Sequence, residues 1–390
     1  MFYISVKASP KYHQMTFEEL LFGMNYMPPV IQNETNTRTY EVEYVSDRFL
    51  IGFDVGALIR ALEEFNKRTE DLRKKDRTEL YYHFCIPKKS GGLRPIDAPV
   101  PELMEALRTL KNMFEIQFHA PRAGTNIQTS YYHTAAFAYI TGRSTIDAVK
   151  RHQTNESKWF AKLDFSNFFG TTTLDFAMSM LSMVFPFCEI CKSEHGRDEL
   201  RKAVELGFLN GVLPQGTPLS PTLTNIIMIP IDYALSNTLR NLDHRKYIYT
   251  RYADDMLVSS RFKFNVHELE QLVLDVLKRF NAPYVLNKSK TRYGSLSGSN
   301  WNLGVMLNRD NEITVGWRNK KRFEAMLSSY AMDRRNGIRW SAEDLMHMDG
   351  LRSYYRSVEK ETIDKIVAHL NKKFGMNIVA SIRRDLRPAG

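Results

Sequence analysis

Two adjacent aspartates, Asp254 and Asp255, lie in the segment YTRYADDMLVSS between two short runs of apolar and aromatic residues. This pattern predicts a β-hairpin whose tight turn carries both carboxylates away from the apolar core. Neighbouring carboxylates repel each other unless a cation lies near them, and Mg²⁺ prefers oxygen ligands. Because aspartate is also common in ordinary turns, the pair by itself favours an ordinary turn with no catalytic or metal-binding role.

A third acid supplies the partner that the pair lacks. Asp164 lies in the apolar stretch WFAKLDFSNFF, which predicts a strand over residues 159–169. A carboxylate among aromatic side chains is costly unless it binds a cation or ends the strand. Asp164 is thus the partner that Asp254 and Asp255 need for a metal site, and the basic hairpin and the Gln215–Gly216 loop described next favour that site over an ordinary turn.

A basic hairpin is predicted in YYHFCIPKKSGGLRPIDAP, with strands over residues 81–86 and 93–97. Lys88, Lys89 and Arg94 are positioned to meet phosphates, and the glycines allow the backbone to approach a ligand closely. The alternative is an exposed strand edge protected by lysines.

Residues 211–225, GVLPQGTPLSPTLTN, predict a loop before a helix that begins near Pro221 and continues through Ile231. Such a loop suits a planar or anionic ligand, although it is also what an ordinary connector looks like.

Helical spacing of apolar residues recurs along the rest of the chain. It predicts helices over residues 16–24, 54–75, 102–118, 146–152, 173–184, 267–280, 320–331 and 362–374. The length of 390 residues suits several packed subdomains. A net charge of +10 and an aromatic content of 12% favour a polyanionic partner, with nucleic acid first, although a merely basic soluble protein has the same charge.

The cysteines are Cys85, Cys188 and Cys191, too few for a disulfide framework, so we expect a reducing, cytoplasmic setting. Cys188, Cys191 and His195 form a CxxCxxxH string, but no fourth ligand lies nearby, so a loop or core role is favoured over zinc. The N-terminal residues lack a signal-peptide pattern, and the longest uncharged run, residues 206–231, is interrupted by prolines. No membrane association is expected.

Seven strings appear in a consistent order over about residues 80–310: KKSGGLRPI, FAYITGRSTIDAVKRH, FAKLDFSNFF, GVLPQGTPLSPTLTN, YTRYADDMLVSS, LNKSKTR and NWNLGVML. Together they resemble the reverse transcriptases of the bacterial group II intron-like and retron-like lineage. The resemblance implies an α+β, right-hand polymerase fold with fingers, a palm built on an antiparallel sheet, and an α-helical thumb. It suggests an N-terminal, mostly helical extension over residues 1–78, fingers and palm over 79–300, and primer grip and thumb over 301–390.

The same resemblance implies roles for individual residues. Two Mg²⁺ ions, with Mn²⁺ as a substitute, would be held at Asp164, Phe165, Asp254 and Asp255. Lys290 would act near the departing pyrophosphate, where a general acid helps. The nucleotide-binding positions would be Lys88, Lys89, Arg94, Phe165, Phe169, Gln215 and Gly216. The primer and template positions would be Tyr252, Ala253, Gly304 and Arg352.

The function implied by the resemblance is RNA-directed synthesis of DNA from dNTPs, since a bulky ring at Phe169 excludes a 2′-hydroxyl group. We expect a dedicated, structured non-coding RNA as template, a cDNA product and a role in anti-phage defence. The Asn-Ala-x-x-His and Val-Thr-Gly elements usual in retron enzymes are absent, and no maturase, HNH or RNase H domain is recognisable. These departures favour a stand-alone enzyme. The alternatives are a template-independent or protein-primed DNA polymerase, as in abortive infection, and an RNA-binding scaffold without activity.

Overall fold

A computed structural model describes residues 4–8, 40–44, 55–88, 91–121, 128–130, 132–242, 246–296 and 304–386. The helix predicted over residues 16–24 and the side chain of Lys89 lie outside these ranges. Near the N-terminus, strands β1 (Ile4–Ala8) and β2 (Tyr40–Tyr44) pair antiparallel, and helices α1 (Val55–Arg68) and α2 (Glu70–Lys74) follow. The predicted helix over 54–75 is therefore two helices, with Thr69 between them.

The basic hairpin forms as predicted, with β3 (Tyr81–Pro87) and β4 (Leu93–Pro99) paired antiparallel. β3 is exposed after Tyr81 and β4 is exposed over its first three residues, so the tip of the hairpin projects from the body of the protein. Helix α3 (Pro101–Phe118) packs below it and leads into a short strand pair, β5 (His119–Pro121) and β6 (Gln128–Ser130).

A four-stranded antiparallel sheet lies at the centre of the chain. Its strands are β7 (Trp159–Asp164), β8 (Ile248–Tyr252), β9 (Asp255–Ser260) and β10 (Arg292–Ser295), in the order β10-β7-β9-β8. The helices around it are α4 (Thr145–Thr154), α5 (Phe168–Thr171), α6 (Leu174–Leu181), α7 (Phe187–Ile190), α8 (Glu194–Glu205), α9 (Leu219–Ile227), α10 (Ile229–Leu242) and α11 (Val266–Arg279).

Within residues 304–386, the C-terminal part is helical apart from one small hairpin. It contains β11 (Met306–Leu307), β12 (Ile313–Thr314), α12 (Trp317–Arg335), α13 (Ala342–Val358), α14 (Lys360–Phe374) and α15 (Ile378–Asp385). Its apolar residues form a second core cluster, which Phe160 and Leu257 of the central sheet join. Their neighbours in the strands, Ala161 and Met256, belong to the larger core on the opposite face. The sheet is thus buried on both faces, as the alternation of side chains along a strand requires.

Two further element predictions were wrong in extent. The strand predicted over 159–169 ends at Asp164, because Asn167 adopts a left-handed backbone (φ 49°) and α5 begins directly after it. The helix predicted to run from Pro221 through Ile231 is two helices, α9 and α10, which meet at Met228. Pro230 has no N–H group and fits the first turn of a new helix better than the interior of a long one.

In the residues that the structure describes, no helix is both long and apolar enough to cross a membrane.

Candidate active site

The three aspartates come together at one end of the central sheet. Asp164 is the last residue of β7 and pairs directly with Asp255, the first residue of β9. Directly opposed residues of antiparallel strands project to the same face, with Cβ atoms about 5 Å apart. Asp254 lies in the turn between β8 and β9, next to Ala253, whose φ is 56°. The structure thus brings the three predicted aspartates together, and their role as metal ligands stays a prediction.

The local environment opposes ionisation of Asp254 and Asp255. Burial raises the pKa of Asp254, and the neighbouring Asp164 carboxylate raises it further. Burial also raises the pKa of Asp255, although the ammonium group of Lys162 works in the opposite direction. The ionised forms of Asp254 and Asp255 are therefore disfavoured, and a cation near the turn would stabilise them.

Two lysines supply positive charge to these acids. The Lys290 Nζ lies 2.9 Å from Asp164 Oδ1 and 3.1 Å from Oδ2, and this hydrogen bond raises the pKa of Lys290. The Lys162 Nζ lies 3.0 Å from Asp255 Oδ2. Lys162 was missed at the sequence level, although its place two residues before Asp164 puts it on the same face of β7.

The donor set suits a hard divalent cation, because it consists of carboxylate oxygens. Within the described ranges, no three His, Cys, Asp or Glu side chains converge as ligands of one ion, and this includes the three aspartates. Instead, the ammonium groups of Lys290 and Lys162 each balance one carboxylate. A metal ion would compete with these lysines for the same oxygen atoms.

A buried ion pair contacts the backbone of the turn from the interior of the protein. Arg251 and Asp232 are both fully buried, and the Arg251 Nη2 lies 2.8 Å from Asp232 Oδ2. The Tyr249 hydroxyl donates a hydrogen bond to Asp232 Oδ1 at 2.8 Å. Arg251 also donates from Nη1 to the Ala253 carbonyl oxygen at 3.1 Å, one residue before Asp254. The pair therefore connects helix α10 to the backbone of the acidic turn.

The predicted nucleotide-binding loop packs against the basic hairpin. The Asp97 N–H donates to the Gln215 carbonyl oxygen at 2.7 Å. Gly216 has a φ of 116°, and a Cβ atom there would lie 2.8 Å from Ile96 Cγ2, so only glycine fits. Lys88 and Arg94 are exposed on the hairpin. The structure thus connects the loop to β4, and the nucleotide-binding roles of these residues stay predictions.

The two phenylalanines singled out beyond Asp164 differ in exposure. Phe165 is 1% exposed, and its ring centroid lies 5.1 Å from that of Tyr284, so only its main chain is available to a ligand. Phe169 is half-buried at the start of α5, with its ring centroid 5.6 Å from that of Phe168. Its partly open ring is compatible with the predicted contact to a nucleotide sugar.

The predicted primer and template positions are dispersed. Tyr252 ends β8 and Ala253 follows it in the turn. Gly304, with a φ of 90°, approaches the Tyr354 hydroxyl of helix α13, 3.4 Å from where a Cβ atom would lie. Arg352 is 13% exposed, and its Nε donates to Asp349 Oδ1 at 2.7 Å. Arg352 is thus engaged within α13, and its contact with primer or template stays a prediction.

The CxxCxxxH string does not converge in the structure. The His195 Nε2 pairs with Glu63 Oε1 at 2.6 Å, and Cys191 is buried. Burial raises the pKa of the Cys188 thiol to about 11. These contacts agree with the loop or core role favoured from the sequence.

A family model described as "Reverse transcriptase (RNA-dependent DNA polymerase)" matches residues 86–323, more than half of the 390 residues. The chain belongs to the reverse transcriptase family. It is an RNA-directed DNA polymerase with the right-hand fold of that family, and the matched region contains the three aspartates and both lysines paired with them. Enzymes of the family use divalent metal ions.

Among its relatives are retron reverse transcriptases. The Ec83 retron reverse transcriptase of Escherichia coli is 26% identical over 80% of this chain and 93% of its own length. The Ec73 retron enzyme of the same species is 26% identical over 75% of this chain and 86% of its own length. Among solved structures, apo telomerase from Candida tropicalis has a TM-score of 0.45 at 11% identity, covering 78% of this chain and 62% of its own, and adds nothing to the assignment. The chain is therefore a bacterial, retron-like reverse transcriptase, as the motif order predicts.

Proposed function

We propose that this enzyme copies a structured, non-coding RNA into DNA through a two-metal phosphoryl transfer at Asp164, Asp254 and Asp255. The observation that carries the chemistry is the cross-strand pairing of Asp164 with Asp255, with Asp254 in the adjoining turn. Two magnesium ions held by these carboxylates would activate the primer 3′-hydroxyl and stabilise the charge on the transferred phosphate. The dedicated template is supported by the relatives, which are retron reverse transcriptases.

Lys290 and Lys162 have distinct tasks in this proposal. Lys290 is 58% exposed at its side chain, so it can leave Asp164 and move toward the departing pyrophosphate, where its ammonium group can donate a proton. Lys162 is less exposed, at 29%, and stays with Asp255. Asp255 then supports the turn electrostatically, and Asp164 and Asp254 remain as the principal metal ligands. Lys88, Arg94 and the Gln215–Gly216 loop hold the triphosphate and base of the incoming nucleotide.

The Phe169→Ala variant should admit ribonucleotides. The partly open ring of Phe169 would no longer occupy the space next to the 2′ carbon of the incoming sugar, so the discrimination against rNTPs should fall by about tenfold or more. The measurement is the ratio of kcat/KM for dGTP and rGTP in single-nucleotide extension. Phe169→Tyr, which keeps the ring, is the matched control and should retain the discrimination. An unchanged ratio in the alanine variant would remove the sugar-gate role.

Extension assays with the purified chain test the proposed function. A DNA primer annealed to a synthetic RNA template, with magnesium and all four dNTPs, should be extended to the template end. Extension without any template would instead support a template-independent polymerase, and RNA binding without extension under any metal would support a scaffold. Manganese in place of magnesium should support slower or less accurate extension.

The RNA that serves as template is found by sequencing the nucleic acids that co-purify with the protein. We expect one abundant structured RNA and a DNA complementary to part of it. A random sample of cellular RNA would contradict the dedicated template. The expected role in anti-phage defence is tested separately, by plaque counts on cells that carry the chain with its RNA or with the Asp254→Ala variant.

A further inference from the structure

One exposed aromatic residue near the aspartates has no role in the reaction described so far. Tyr139 is 54% exposed, whereas its neighbours Ala138 and Ile140 are 0% and 4% exposed. The segment around it is otherwise apolar and buried, with Ala135, Ala136 and Phe137 all in the interior. This exposure leaves the Tyr139 ring available to a bound molecule beside the proposed active site.

The backbone at Tyr139 is held in an unusual conformation. Its φ is 56°, in the left-handed region that residues other than glycine and asparagine seldom adopt. The preceding residues are fixed by two hydrogen bonds: the Phe137 N–H donates to the Arg251 carbonyl oxygen at 2.9 Å, and the Asn225 side chain donates to the Ala138 carbonyl oxygen at 2.7 Å. Strained residues that the surroundings hold in place are concentrated at functional sites.

The location of Tyr139 relative to the aspartates is set by the sheet. Ala136 pairs with Arg251 as a parallel bridge, so this segment extends the free edge of β8. The Tyr139 ring centroid lies 6.3 Å from that of Tyr252 at the end of β8. Asp164 is on β7, three strand spacings away across β9 and β8. At about 4.8 Å per spacing, Tyr139 is roughly 14 Å from Asp164.

Charges on the basic hairpin and in the acidic turn both act on Tyr139. Burial raises the pKa of its hydroxyl group, and the negative charge of Asp254 raises it further, whereas the positive charge of Arg94 acts in the opposite direction. Tyr139 is therefore within electrostatic range of Arg94 on the basic hairpin and of Asp254 in the turn.

We propose that the ring of Tyr139 stacks on the template nucleotide that pairs with the incoming dNTP. This inference rests on the proposed function, because the reacting phosphate must lie at the aspartates. A side chain roughly 14 Å across the sheet from Asp164 lies too far away to contact the reacting phosphate, so we assign it to the strand opposite the primer. Aromatic side chains stack on every base, so this contact holds the template in place without selecting its sequence.

A binding experiment without metal tests this role. The probe is a synthetic RNA template annealed to a DNA primer, with a 5′ RNA overhang whose first nucleotide is intact or abasic. Tyr139→Gly should weaken binding of the intact duplex by about 5- to 100-fold, as loss of one stacked base predicts. Tyr139→Phe should bind like wild type. On the abasic duplex, wild type should weaken by a similar factor and Tyr139→Gly should lose little more.

The Tyr139→Gly variant also separates the contribution of the ring to binding from any effect on the stability of the fold. Glycine adopts a φ of 56° without strain, so the melting temperature of Tyr139→Gly should not fall. Phe262, 55% exposed just beyond the far end of β9, is the matched control, and Phe262→Ala should bind both duplexes like wild type.

Equal binding by wild type and Tyr139→Gly would overturn the proposal. It would also be overturned if the loss persisted on the abasic template and disappeared when the terminal primer nucleotide was abasic, since the ring would then contact the primer. Because this experiment needs neither metal nor extension, its failure is distinct from failure of the proposed function, which is read from extension by wild type.

Discussion

Replacing Asp254 by alanine should abolish DNA synthesis, with the extension rate reduced by about a thousandfold or more. The carboxylate lies in the turn beside the Asp164–Asp255 pair, and its removal takes away one of the principal metal ligands in the proposed site. RNA affinity should stay close to that of wild type, because the basic hairpin and the helical C-terminal part are unchanged. Single-nucleotide extension and RNA binding by fluorescence anisotropy measure the two properties on one preparation.

The melting temperature of Asp254 variants distinguishes the loss of a metal ligand from misfolding. The pKa of Asp254 is raised above 3.8 in the folded protein, so the folded state holds this proton more tightly than the unfolded chain does. Its contribution to stability is therefore lost as the pH rises from the ordinary carboxyl range through the raised pKa. At pH 7 without metal, the charged Asp254 costs stability, and Asp254→Asn should melt at or above the wild-type temperature.

A surface aspartate provides the matched control for the same assays. Asp275 is exposed on helix α11, where it accepts a hydrogen bond from Gln271. Asp275→Ala should extend primers like wild type. Polymerisation retained in Asp254→Ala would contradict the two-metal assignment, and a melting temperature well below wild type in Asp254→Asn would contradict the electrostatic account of the turn.

Much of the acidic site could be predicted from the sequence because its determinants are local. Asp254 and Asp255 are adjacent, and the runs on either side of them have the pattern of paired strands. Asp164 stands out because a carboxylate in an aromatic strand needs a compensating cation. Lys162 was within reach of the same reasoning, since residues two apart on a strand share a face.

The parts that could not be predicted depend on contacts between distant segments. The uncharged run over residues 206–231 ends just before Asp232, and nothing local indicates that this acid is buried against Arg251. The left-handed backbones of Asn167 and Tyr139 are equally invisible, although the first ends β7 and the second directs a ring outward. Tertiary contacts impose these conformations, and local residue preferences do not report them.

The buried Arg251–Asp232 pair gives the second large effect, this time on stability. Asp232→Asn or Arg251→Met should each lower the free energy of unfolding by about 3–5 kcal/mol, because the remaining charge stays buried without its partner. Both side chains are fully buried, so water cannot replace the lost contact. Urea unfolding measures the change. A loss below about 1 kcal/mol in both variants would show that the interior relaxes around the single charge.

A combined apolar variant separates the contribution of the Arg251–Asp232 pair to stability from its contribution to the position of the turn. Arg251→Met with Asp232→Leu and Tyr249→Phe removes the charges and the hydroxyl group that donates to Asp232. Well-packed apolar replacements of buried ion pairs are often neutral or stabilising, so most of the lost stability should return. The extension rate should still fall by about 10- to 100-fold, because the Ala253 carbonyl oxygen loses the Arg251 hydrogen bond and the turn that carries Asp254 shifts. Full activity in a stable triple variant would show that the pair only stabilises the fold. Low activity with wild-type stability would show that Arg251 positions the turn that carries Asp254.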